Sequence, residues 1–234
     1  MSRVVAIHQP TFLPWLGWWD KLARSDVFVL LDDVQFPKKG GTWTNRVRIL
    51  VGGEPAWLTV PVDRTYHGVR PIREMRIDDT SRWRTKMLRT IAANYTRAAH
   101  FNDVFPVVEE ILAVDTCSLA DLNERGIRKF AEALDVKTDK LVRQSDLGVS
   151  GTRTQLLVLL CQAVGASTYL TGDGAGEYLS ADELAAANIA LVGQQFVPPS
   201  YPQLAPDHVA GLSIVDALMN CGWEQTAALV AGGR

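Results

Sequence analysis

The chain has 234 residues, 47% of them apolar, enough to bury a sizeable core as a single α/β domain carrying an insertion. Lysine and arginine total 24 against 26 for aspartate and glutamate; the net charge of −2 excludes a global pull towards nucleic acid or an anionic membrane, so any anion site must be local. Three widely spaced cysteines, Cys117, Cys161 and Cys221, exclude a disulfide framework and a CxxC metal site, and the longest apolar stretch, Leu156 to Cys161, is too short to span a bilayer. Met1-Ser2-Arg3 leads into Val4-Val5-Ala6-Ile7 without a signal-peptide pattern, so a cytoplasmic protein is expected.

Taken in chain order, Val4–Ile7 and Val27–Leu31 are compact apolar runs of the kind found in strands buried on both faces. Leu16 to Arg24 between them has helical spacing, giving a β-loop-α-β unit with a right-handed parallel crossover. Residues 42–49 alternate, Val51-Gly52-Gly53-Glu54 supplies a turn, and Ala56–Val60 is extended again, which predicts a hairpin. Arg73 to Asp78 is a further strand candidate, so 37–80 is expected to be a β-rich insertion.

Helical spacing then marks Arg82–Asn94, Phe105–Val114 and Leu119–Leu134, the last with Ser118 or Thr116 as cap. Lys140–Val142, Thr168–Leu170 and Ile189–Val192 are strand candidates. Thr154–Val164 and the stretch from Ser180 to Ala187 are helices, and two short helices, Ser213–Asn220 and Trp223–Ala231, close the chain. Strands alternating with helices predict a three-layer, Rossmann-like parallel sheet with an inserted hairpin and a helical C-terminal part.

In such sheets ligands bind at the carboxyl ends of the strands. His8-Gln9-Pro10 ends the first strand, and the loop to Trp15-Leu16-Gly17-Trp18 opens a helix whose amides can hold a phosphate or carboxylate. His8 beside that anion can donate to it or shuttle a proton. Asp32-Asp33 ends the second strand, followed by Val34-Gln35-Phe36. Adjacent side chains on an extended segment face opposite ways, so one carboxylate is expected in the crevice and the other on a turn or a lysine. That carboxylate could position a hydroxyl, take a proton or hold Mg²⁺ through water.

Lys38, Lys39, Arg46 and Arg48 form the concentrated basic group near this rim, with Arg46 and Arg48 on one face of a strand, and Asn45 precedes them. Trp15, Trp18, Trp19, Trp43 and Trp57 are available to stack a ring or to fill the core. Asp20-Lys21 is read as a solvated pair on the first helix. The glycine-rich 171–176 segment, containing Gly172, reaches the crevice from the other half of the sheet but is neither a P-loop nor a GxGxxG fingerprint. His67, His100 and His208 have no recognisable nucleophile context.

With His8-Gln9-Pro10, Pro14 to Gly17, Asp20-Lys21, Asp26, Leu31 to Phe36 and Asn45-Arg46 assembled, the chain resembles the WbqC-like family. Tyr169 to Gly172, Tyr178-Leu179, Tyr201 and Ser213 to Asp216 suit it as well, so the resemblance covers nearly the whole length. Association of that family with bacterial surface-polysaccharide and specialised-metabolite gene sets implies a biosynthetic role on an activated or amino-bearing small molecule. The opening unit is also similar to that of nucleotidylyltransferases and pantoate-activating ligases, but Trp15-Leu16-Gly17-Trp18 stands where they have HxGH or TxGH, and no KMSKS-like motif follows.

These readings converge on a transferase that moves an acyl or aminoacyl group from an activated donor to an amine or hydroxyl. His8, Asp32 and Asp33 are its candidate catalytic residues. Gln9, Trp15, Gly17, Gln35, Lys38, Asn45, Arg46, Gly172 and Tyr178 are candidates for holding an anionic or nucleotide-activated substrate. The alternatives are a nucleotidyltransferase-like enzyme that uses Mg²⁺, and a non-catalytic module that binds a sugar nucleotide; neither a membrane nor a nucleic acid is expected as partner.

Overall fold

Alternation along β1 (Val4–His8) sets the layers of the molecule. Val5 and Ile7 face one side of the sheet and Ala6 the other, each side packed against helices. Helix α1 (Leu16–Arg24) follows, and β2 (Val27–Leu30) returns parallel to β1 with Val5 opposite Val27 and His8 opposite Leu30. The structure, a computed structural model, describes residues 2–172 and 179–232.

After β2 the chain leaves the sheet to form an antiparallel hairpin, β3 (Arg46–Val51) with β4 (Glu54–Thr59). Three helices come next, α2 (Trp83–Tyr95), α3 (Phe101–Leu112) and α4 (Leu119–Ala133), the last capped by the Ser118 hydroxyl accepting from the Asp121 amide. The sheet resumes with β5 (Leu141–Arg143), the short helix α5 (Gln144–Leu147), α6 (Arg153–Ala163), β6 (Thr168–Thr171), α7 (Ala181–Ala186) and β7 (Ala190–Gly193). α8 (Ile214–Gly232) ends the described chain and is broken at Gly222, whose φ of 74° lies outside helical space.

The result is a five-stranded parallel sheet in the order β5-β2-β1-β6-β7, an α/β fold consistent with a Rossmann-like arrangement. Val5, Ile7, Val27, Val29 and Tyr169 meet Leu156, Leu160 and Leu184 of α6 and α7 on one face. Ala6, Phe28, Leu30 and Leu170 meet α1, α4 and α8 on the other, where Trp18, Trp19, Leu22 and Phe130 are buried. Each of those large side chains contributes roughly 1.5–3 kcal/mol of burial, so α1 is held by its apolar face, not by a capping side chain, which it lacks.

Several elements differ from expectation: α3 starts at Phe101, four residues before Phe105, and α5 is not among the expected helices. Arg73–Asp78 is not a strand: Ile72 and Met75, three apart, are both buried, and that spacing suits the 3-10 turn Ile72–Glu74, with only isolated bridges at Arg76 and Ile77. The first hairpin strand begins at Arg46 instead of Thr42, because the amides of Asn45 and Arg46 both bond back to the Thr42 carbonyl in a turn.

Candidate active site

The strand order places the functional geometry. From β1 the connection runs outward to β2 and β5 on one side, while β6 and β7 lie on the other, so the carboxyl ends of β1 and β6 frame the point where the sheet's winding reverses. A cavity of about 290 Å³ opens there, lined by His8, Trp15, Gly17, Trp18, Lys21, Gly172 and Gln194.

The loop that delivers His8 is braced from every side. The Asn123 amide donates to the Pro10 carbonyl at 2.8 Å, the Ser213 hydroxyl to the Leu13 carbonyl at 2.8 Å, and the Trp19 indole to the Pro14 carbonyl at 3.2 Å. The Phe12 amide donates to the Trp43 carbonyl, just before the hairpin, at 3.0 Å, and Leu13 sits at φ 40°, an uncommon conformation for a residue with a side chain. Trp15 folds back over Gly17: a Cβ on Gly17 would fall 2.2 Å from the indole, so only glycine fits. The helix entry is therefore a fixed edge of the cavity, with first-turn amides that no side chain caps.

His8 Nδ1 lies 3.0 Å from the Gln9 carbonyl. A carbonyl can only accept, so Nδ1 carries the hydrogen and Nε2 is left as the basic nitrogen. Although His8 retains part of its surface, the protein around it withholds the solvent an imidazolium needs. Burial first, and Lys21 second, push its pKa down to about 4, against a smaller upward pull from the Gln9 carbonyl.

Lys21 is nearly buried and its Nζ donates to the Ile7 carbonyl at 3.3 Å. Gln194, also buried, donates its side-chain amide to the Gly17 carbonyl at 2.5 Å and to Asp20 at 2.8 Å, which leaves its oxygen for the cavity. Both approach Gly172, where a Cβ would lie 3.8 Å from Gln194 Oε1 and 3.9 Å from Lys21 Nζ. Trp18 brings a buried indole N–H with no acceptor among the described residues, a cost of about 1–3 kcal/mol that a bound acceptor would relieve.

Of the residues picked out in the sequence, His8, Trp15, Gly17 and Gly172 come together here. Tyr178 lies outside the described residues, as do 173–176 of the glycine-rich segment. The paired carboxylates do not join: Asp32 is buried and accepts from the Ser145 amide (3.0 Å) and hydroxyl (2.7 Å) at the start of α5, and Asp33 pairs with Arg73 at 2.5 Å. Both lie past the end of β2, outside any strand, and turn to different partners; both are engaged by the protein, and Asp33 meets an arginine, not a lysine.

Gln9 turns to the Thr44 hydroxyl at 3.2 Å, and Gln35 and Lys38 are exposed away from the cavity. Asn45 is a buried brace, accepting from the Thr42 amide at 3.1 Å and donating to the Val60 carbonyl at 3.0 Å. Arg46 lines a different pocket on the hairpin. The expectation that His8, the tandem aspartates and Arg46 share one hollow is thus corrected.

Asp20 and Lys21, read as a solvated pair, are instead buried, because this face of α1 packs under the β6 and β7 ends. The signal was present in the spacing: Lys21 is four residues after Gly17 and shares its helix face. Gln194, a polar residue directly after β7, belongs to no motif that would mark it in the sequence. A cavity of about 880 Å³ lies at the opposite, amino edge of the sheet, but Lys140 beside it donates to the Leu22 carbonyl at 2.5 Å and the Ser25 carbonyl at 3.0 Å and so caps α1.

Comparison with known proteins agrees with the motif. A model described as the WbqC-like protein family matches residues 9–228. The chain belongs to this family. An uncharacterized protein of Mycobacterium tuberculosis (strain ATCC 25618 / H37Rv), Rv1507c, is 32% identical over 224 residues, covering 95% of each chain. No solved structure matches. Tyr201 and Asp216, among the residues on which the resemblance is drawn, take part in a largely buried network with Tyr95 and Gln203: the Asp216 carboxylate accepts from Tyr95 (2.7 Å), Tyr201 (2.9 Å) and Gln203 (3.1 Å). Next to it, Ser213 joins α8, the hairpin and the His8 loop. Among the described residues no helix is long and apolar enough to cross a membrane.

Proposed function

We propose that the crevice at the ends of β1 and β6 is the active site of a small-molecule transferase that passes an acyl or aminoacyl group from an activated, anionic donor to an amine or hydroxyl. A role in making bacterial surface glycans or specialised metabolites goes with the family resemblance. The observation that carries the reading is the neutral His8, its Nδ1 tied to Gln9 and its Nε2 left basic, in one cavity with Lys21.

In this reading the acceptor's nitrogen or oxygen attacks the acyl carbon and its proton passes to His8 Nε2. The carbonyl oxygen's developing charge is met by Lys21 and the first-turn amides of α1. The bond to the activating group, a thioester sulfur or an adenylate phosphate, then breaks, and His8 returns the proton to the leaving atom. An anionic donor seated on Lys21 offsets the cation that helps depress the His8 pKa, making the imidazole a stronger base when substrate is bound. About 290 Å³ holds the reacting ends of two substrates, not a whole nucleotide, so the activating group extends towards solvent. Nucleotidyl transfer with Mg²⁺ loses support, since the carboxylates it relied on are bonded to Ser145 and Arg73.

The test begins with thermal shifts of the full chain against acyl-CoAs, aminoacyl adenylates and sugar nucleotides, since a ligand of the native state raises Tm by mass action. With the donor class in hand, His8→Ala is expected to lower kcat/KM by about 10²–10⁴. Lys21→Met is expected to lower kcat, because the developing oxyanion loses its cation, and to raise KM for the anionic donor. Turnover left intact in His8→Ala removes the mechanism, and tight binding without conversion, indifferent to His8→Ala, favours a non-catalytic module.

A further inference from the structure

The hairpin carries a second pocket that shares no lining residue with the crevice. Residues 37–70 hold six cations, Lys38, Lys39, Arg46, Arg48, Arg64 and Arg70, against two carboxylates, Glu54 and Asp63, in a chain whose overall charge is −2. Among the described residues none of the six has an ion pair. The local excess is therefore not neutralised by the fold.

Arg46 is the best placed of them. Its guanidinium lies 4.1 Å from the Trp57 ring centroid and is wedged against Gly41, where a Cβ would fall 2.5 Å from Arg46 Cδ and 2.7 Å from Nε. With its faces covered and Nε buried, what remains to present is the planar edge of terminal N–H groups, the edge that grips a phosphate or carboxylate bidentately. Holding the side chain in place beforehand lowers the ordering cost of binding. The pocket it lines measures about 360 Å³ and includes Gly40, Thr59, Val60 and Arg64, with no carboxylate. Arg64 pins the lysine-bearing loop over it, donating to the carbonyls of Pro37 (2.8 Å), Lys38 (2.7 Å) and Gly40 (2.6 Å).

Beside this edge stand two exposed indoles. Trp43 and Trp57 are 37% and 44% exposed and meet edge-on with centroids 5.2 Å apart. Large aromatics at a hairpin surface that buries its other face, Val47 and Ile49, are available to a flat ring in solution. We propose that this pocket is a second anion site, independent of the crevice, that takes the phosphoryl group of a nucleoside phosphate on Arg46 with the base against the exposed tryptophans. One clamped arginine edge, with no other arginine side chain among the described residues fixed in line beside it in the pocket, suits a single phosphoryl group better than a repeating polyanion backbone.

The experiment is titration of the full chain with ADP, followed by tryptophan fluorescence and calorimetry, with pyrophosphate and adenosine as partial ligands. Saturable ADP binding is expected, displaced by pyrophosphate, with adenosine at least tenfold weaker. Arg46→Gln should weaken ADP at least tenfold, and Arg46→Lys should not restore it, because the charge returns without the planar fork. Gly41→Ala removes no charge yet pushes the guanidinium from its seat, so it should weaken ADP similarly and answers the question if Arg46→Gln fails to fold. Lys21→Met should leave ADP binding unchanged. The proposal is overturned if Lys21→Met abolishes binding while Arg46→Gln does not, if affinity instead grows with the length of an anionic polymer, or if neither ADP nor pyrophosphate binds saturably.

Discussion

The carboxyl ends of β1 and β2 are neighbours in the sheet, and each ends in polar residues, yet they have different fates. At β1, His8 opens into a cavity with Lys21 and Gln194; at β2, Asp32 and Asp33 are closed over by α5 and by Arg73. The difference lies in topology. β2 is followed outward by β5, whose short helix drops onto the strand ends and uses Asp32 to hold its first turn, whereas β1 borders β6 across the reversal of winding, where among the described residues no helix drops onto the strand ends. A polar pair at a strand end is thus a candidate site only where the connections leave it open to a cavity.

That contrast can be broken most sharply at Asp32. Asp32→Ala leaves the Ser145 amide and hydroxyl without their acceptor in a buried setting and is expected to cost about 3–5 kcal/mol in urea unfolding. A variant of unchanged stability that lost activity would instead put Asp32 among the reacting groups. The crevice side predicts a pH signature of somewhat smaller size. His8 has a folded pKa near 4 against 6.5 unfolded, so the unfolded chain binds the extra proton between those values and stability falls as pH drops from about 6.5 to 4. The wild type should lose on the order of 2–3 kcal/mol over that window more than His8→Asn does; parallel curves would mean that His8 titrates normally. The smallest effect belongs to Asp33. Its partner Arg73 is well exposed, so Asp33→Asn should leave Tm within about 2 °C of wild type, and a larger drop would show that the pair clamps the insertion.

Much of the architecture was legible because it depends on local pattern. The helix Leu16–Arg24 and the strand starts at Val4, Val27 and Thr168 coincide with apolar periodicity, and Ser118 and Ser180 act as the caps their positions suggest. Arg73–Asp78 misled because a stretch with buried residues at Ile72, Met75 and Ile77 satisfies a period of three and of two at once, and Pro71 before it favoured the turn. At the site, His8, Trp15, Gly17 and Gly172 were recognised because each sits at an element boundary. Lys21 was missed because a charged residue inside a helix looks solvated until the strands that cover it are known.

The chain by itself determined which residues form strands and helices and that an imidazole and a glycine-opened helix flank the first loop, since those follow from hydrophobic spacing and backbone preference over a few residues. Which polar groups share a cavity was decided only by the tertiary structure. Strand order and the placing of α5 are set by packing between segments more than a hundred residues apart, and that packing brought Lys21 and Gln194 to His8 while turning both aspartates to the service of the fold.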